Sequence, residues 1–117
     1  MYVESFKELV VWRRSLELVK EVYRVTVKLP KSELYGLSSQ MRRAVVAIPS
    51  NIAEGKKRKS KKDFLQFLRI SAGSAAELET QIIIAKDLFP QINFLQAEKV
   101  LIEVEKMLTV MIKKLEA

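Results

Sequence analysis

The chain has no cysteine and no histidine, and its 117 residues include only three glycines and three prolines. Without thiols there are no disulfides and no thiolate nucleophiles. Without imidazoles as well, the usual zinc ligand sets and the commonest general base are also missing. Carboxylate metal sites stay open, but the composition points away from an enzyme, and no cofactor is expected. No apolar run reaches the ~18 residues of a membrane span. The opening MYVESFKELVVWRRS lacks the basic-then-apolar order of a secretory signal, so a cytoplasmic protein with no membrane partner is the expectation. No period of about 20 to 50 residues repeats, and no linker divides the chain.

What is present is apolar surface and localised charge. Hydrophobic residues make up 49% and charged residues 30%, the balance of a globular protein whose helices carry charged outer faces. The length suits one domain, residues 1–117, burying roughly two-thirds of its unfolded surface. The net charge is +7, yet removing Lys56, Lys57, Arg58, Lys59, Lys61 and Lys62 leaves 15 basic against 14 acidic residues. Nearly all the excess therefore sits in one block, a field suited to phosphate backbones, anionic lipid or an acidic partner.

The few glycines and prolines punctuate four helical patterns. The first opens on a capping box, Ser5-x-x-Glu8, and repeats Leu9, Trp12, Leu16, Val19, Tyr23 and Thr26 on one stripe, ending near Leu29-Pro30. Pro30 to Gly36 reads as a short connection with room for one helical turn. Ser38 or Ser39 then suits the cap of a second helix with Met41, Ala44 or Val45, Ile48 and Ile52 inward, and Gly55 offers a stop. Pro49 cannot donate to the Val45 carbonyl, which predicts a kink in preference to two short helices. The third segment follows the basic block, with Ser60 as cap, Asp63 in the first turn, and a heptad series of Phe64, Leu68, Ser71, Ala75, Leu78, Ile82, Ala85 and Phe89. Pro90 ends it. Asn93 with Gln96 caps a fourth, whose seam is Ala97, Leu101, Val104, Leu108, Met111 and Leu115. The expected fold is an all-α, antiparallel up-and-down four-helix bundle.

The candidate nucleic-acid-binding residues are Lys56, Lys57, Arg58, Lys59, Lys61 and Lys62, placed in the connection between helices two and three, together with Arg42, Arg43 and Arg69. Arg42 and Arg43 stand one turn into a helix, where the dipole disfavours cations. Either glutamates compensate them or a nucleic acid does. Ser50, Asn51, Glu54 and, farther on, Glu77 form a candidate structural polar cluster, the first three repairing the backbone around Pro49. Glycine costs about 1 kcal/mol in a helix, so Gly73, amid Ser71 to Ala76, predicts a close-passing backbone. Trp12 beside Phe6, Arg13 and Arg14 suits core packing better than base stacking. Val10, Val11, Val45, Val46, Ile83 and Ile84 widen the apolar surface and argue for subunit contacts.

Four motifs, Phe6-x-x-Leu9-x-x-Trp12, Leu37-x-x-Gln40-x-x-Arg43-Ala44, Ile48-Pro49-x-Asn51-Ile52-Ala53-Glu54-Gly55 and Gly73-Ser74-x-x-Glu77-Leu78, together resemble the 23S rRNA intervening-sequence proteins. The resemblance covers nearly the whole chain. It implies a four-helix bundle, similar to the accessory proteins of diversity-generating retroelements, which assemble as homopentamers and bind nucleic acid with a reverse transcriptase. By position, Arg43, Asn51, Glu54 and Glu77 match the family's polar signature. The leading functional expectation is a non-enzymatic oligomeric bundle binding RNA or DNA through phosphates. The alternatives are a protein-interaction scaffold, or a metal-dependent hydrolase using Glu54 and Glu77.

Overall fold

In the computed structural model, which describes residues 5–117, four helices carry most of the chain: α1 (Val10–Thr26), α2 (Leu37–Lys57), α3 (Lys61–Leu88) and α4 (Leu95–Glu116). Short 3₁₀ turns fill Phe6–Glu8 and Lys31–Glu33, and no strand occurs among the described residues. Each helix packs on its neighbours in the chain and α4 closes on α1, whereas the diagonal pairs α1/α3 and α2/α4 do not approach. The partners run in opposite directions. Ser71 of α3 meets Ile48 and Gly55 meets Phe64 and Phe67; Lys86 pairs with Glu98 while Arg69 pairs with Glu116. The bundle measures 45 × 21 × 19 Å. No described helix is long and apolar enough to cross a membrane.

Capping chemistry explains the boundaries, and in two places it differs from the sequence reading. Ser5 does cap, but its hydroxyl accepts from the Lys7 N–H and closes a 3₁₀ turn, and the extended backbone at Leu9 delays α1 to Val10. Helix α2 begins at Leu37, whose N–H donates to the Glu33 carboxylate at 3.1 Å. Ser38 is buried one position later, so neither serine caps. At α3 the expectation holds: the Ser60 hydroxyl accepts from the Asp63 N–H at 3.2 Å. The Asn93 side chain accepts from the Leu95 N–H at 2.9 Å at the start of α4.

The core is one cluster running the length of the bundle. From α2 it takes Met41, Ala44, Val45, Ile48 and Ile52, and from α3 the heptad residues Leu68, Ser71, Ala75, Leu78, Ile82 and Ala85. Helix α1 is turned partly away from the predicted stripe: Val11, Ser15, Leu18, Val22 and Val25 are buried, the predicted Leu9, Trp12 and Val19 pack half-buried against the core, Thr26 is buried and Tyr23 is exposed. Two adjacent apolar residues recur at Val10-Val11 and Leu18-Val19, so either phase fits the pattern; Trp12 sits edge-on against Phe6 at 5.2 Å. Helix α2 runs unbroken through Pro49. The side chains after it bond back to the preceding turn, Ser50 to the Val46 carbonyl and Asn51 to the Ala47 carbonyl, both at 2.8 Å.

Candidate nucleic-acid interface

The basic block is not a loop. Lys56 and Lys57 form the last turn of α2, Lys61 and Lys62 the first turn of α3, and only Arg58, Lys59 and Ser60 connect them. Lysine is a good helix former, and no glycine or proline interrupts the run. The reversal is made by Lys59 alone, in the left-handed region at φ 61°, a conformation costing a non-glycine residue roughly 1–2 kcal/mol. The α2 cations complement the negative helix end, while Lys61 and Lys62 oppose the positive end of α3, which Asp63 offsets.

Some of this charge is engaged locally. Arg58 pairs with Glu54 at 3.1 Å and lies 5.1 Å from the Phe67 ring centroid; Lys56 lies 5.7 Å from that of Phe64. Lys57, Lys59, Lys61 and Lys62 are exposed and make no hydrogen bond or ion pair among the described residues. Phosphates can reach these four without breaking a protein contact.

The three remaining arginines do not join the tip as one site. Arg69 pairs with Glu116 at 2.6 Å. Arg43 lies fourteen positions before Lys57 on α2, roughly 21 Å along its axis. Arg42 donates from Nε to the Thr26 hydroxyl at 3.0 Å and stacks 4.6 Å from the Tyr23 ring centroid, so a hydroxyl and an aromatic face take the place of the carboxylate partner. Arg43 is exposed and unpaired among the described residues.

The polar signature is also dispersed. Ser50 and Asn51 bond to backbone carbonyls, while Glu54 turns to Arg58 and takes no part in the repair near Pro49. Glu77 is exposed on α3, and the Ile48–Ser71 register sets it roughly 18 Å along the bundle from Glu54. The two carboxylates therefore do not converge, and no group of three or more acidic ligands gathers among the described residues. The glycines exchange roles. Gly55, read as a stop, lies inside α2 against Phe67 and Phe64, whereas Gly73 faces open space.

Two features had no signal in the sequence. A depression of about 640 Å³ on the outer side of α2 is lined by Tyr23, Leu34, Tyr35, Ser39, Arg42, Arg43, Val46 and Ala47, with Tyr35 93% exposed. Only the fold brings the 30–36 connection over this face. Across the α3–α4 seam, Glu105 meets Glu79; burial, then the hydrogen bond and the charge of Glu79, push the Glu105 carboxyl up to about 7.

The profile of the family described as "23S rRNA-intervening sequence protein" matches residues 7–113. Among solved structures, a crystal structure from Bacteroides thetaiotaomicron, described as a protein with unknown function from the S23 ribosomal protein family, is similar with a TM-score of 0.78. The two are 27% identical, and the match covers 89% of this chain and 99% of the other. No curated protein matches the chain.

Proposed function

We propose that this chain, which belongs to the 23S rRNA-intervening sequence protein family, is a non-enzymatic oligomeric bundle that binds RNA or DNA through phosphate contacts at the α2–α3 tip. One observation carries the reading: six cations within seven residues, four on two helix ends and two in the three-residue turn that joins them, gather at one extremity of an otherwise nearly neutral molecule. Helical attachment holds the charges in place, so binding loses less side-chain and loop freedom than ordering a flexible basic tail. The family's name supports an RNA partner. A homopentamer would present five such tips, so that avidity multiplies the affinity of one. The resemblance to retroelement accessory proteins supports a cytoplasmic setting and a protein partner such as a reverse transcriptase.

Filter binding of RNA and DNA over a salt series tests the proposal. Affinity should fall linearly in log–log form, and changing Lys57, Lys59, Lys61 and Lys62 to Gln should flatten the slope by roughly 3. Absence of binding at low salt, or an affinity indifferent to both salt and the four substitutions, would refute it.

A further inference from the structure

Arg43, Ser50 and Lys57 follow one another at seven-residue intervals along the outer face of α2, all exposed. This line joins the basic tip to the depression under the 30–36 connection. The depression has the composition of a base-stacking site. Tyr35 is 93% exposed, and Tyr23 is backed by the guanidinium of Arg42, which the Thr26 hydroxyl fixes in place. Leu34 and Val46 supply apolar contact, Arg43 adds a free cation, and no acidic residue lines the walls.

A phosphate-binding tip alone does not select a single strand over a duplex, because both present phosphates to it. An aromatic face does distinguish them, since a paired base has its faces covered by its stacked neighbours. Resting on the tip reading, we infer that the nucleic acid bound by this chain is single-stranded, running from the α2–α3 tip along α2 to stack a base on Tyr35 beside Arg43. The roughly 21 Å between Arg43 and Lys57 leaves room for several nucleotides. An acidic peptide would satisfy the arginines but leave Tyr35 without a planar partner.

Fluorescence anisotropy with a short labelled oligouridine, an RNA duplex of equal length and a poly-glutamate peptide tests this on the full chain. Tyr35→Ala should weaken oligouridine binding roughly 5- to 100-fold and leave duplex binding unchanged. Arg43→Gln should lower the single-strand salt slope by about 0.7. Photo-crosslinking of an iodouracil-substituted strand should label Tyr35, a readout independent of affinity, and so exposed a residue can be replaced without unfolding the bundle. If Tyr35→Ala binds single strands as the wild type does while the tip variant loses them, this inference falls and the tip reading stands. If the wild type binds neither nucleic acid at low salt, both fall. Poly-glutamate binding that Tyr35→Ala abolishes, with oligouridine unaffected, would make an acidic segment the occupant and also overturn it.

Discussion

A Cβ added to Gly55 would stand 2.6 Å from the Phe67 Cβ and 3.1 Å from a ring carbon of Phe64, distances at which one of the helices must shift. The α2–α3 packing is the most extensive in the bundle, so there is little slack to absorb the change. Overpacking of this kind costs typically 1–3 kcal/mol, partly offset by the better helix propensity of alanine. Gly55→Ala should therefore lower the unfolding free energy by about 2 kcal/mol, read as an earlier urea midpoint. Gly73 is the opposite case, because a Cβ there meets nothing within 4 Å. Gly73→Ala should raise stability by about 0.5–1 kcal/mol at concentrations too low for self-association. The same measurement on both variants should give opposite signs; equal signs would mean that the space around one of them is misjudged.

Between helices, the α3–α4 seam carries charge pairs of mixed sense: Lys86–Glu98 near one end, Arg69–Glu116 near the other, and Glu79 against Glu105 between them. With the Glu105 carboxyl raised to about 7 in the fold, its protonated form is the one that stabilises the seam. That contribution is complete below the ordinary carboxyl range and is lost as pH rises through about 7. Glu105→Gln should then stabilise the bundle at pH ~8 by about 1 kcal/mol after allowance for solvent screening, and the gain should vanish near pH ~4.5. Chemical denaturation at the two pH values checks it. At the α1–α4 seam the sign is reversed. The two hydrogen bonds from Arg14, at 2.7 and 2.9 Å, hold Glu103 below the usual carboxylate range, so that contact weakens on acidification. Seams of this kind show what the sequence makes legible. The α3 stripe is readable because its heptad spacing is strict, and Ser60 because its cap is local. The phase of α1 is not, because apolar pairs make two stripes equivalent. The roles of Gly55 and Gly73, the Glu79–Glu105 meeting and the place of Tyr35 depend on which chain segment passes nearby, and spacing along one chain does not encode that. The basic residues were identifiable as a group, and the Ser60 cap already sets Lys61 and Lys62 in the first turn of α3, but the helical hold on Lys56 and Lys57 was not legible, since Gly55 reads as a stop before them.

For the whole molecule, a closed ring larger than a dimer requires each subunit to present two different complementary surfaces. Two exposed apolar surfaces lie on different sides of this bundle. One is a groove of about 380 Å³ between α1 and α4, lined by Leu9, Val10, Val11, Lys106, Met107, Val110 and Met111. The other is the outer face of α3, where Ile70 is exposed before the open Gly73 and Ile84 and Leu88 are exposed near the end of the helix. If groove meets ridge in a ring, damage to either surface should give a monomer. Val110→Glu removes the groove and leaves the ridge; Ile84→Glu does the reverse. Both positions are about half-exposed, at 51% and 44%, so neither change should unfold the helix. Sedimentation velocity at micromolar concentration should show an assembly for the wild type and a monomer for each variant alone. Mixed in equal amounts, the two variants retain one intact groove and one intact ridge between them, and should form a one-to-one dimer and nothing larger. A wild-type monomer would remove the oligomer from the proposed function. A mixture that stays monomeric, with each variant still helical by circular dichroism, would rule out this pairing of surfaces.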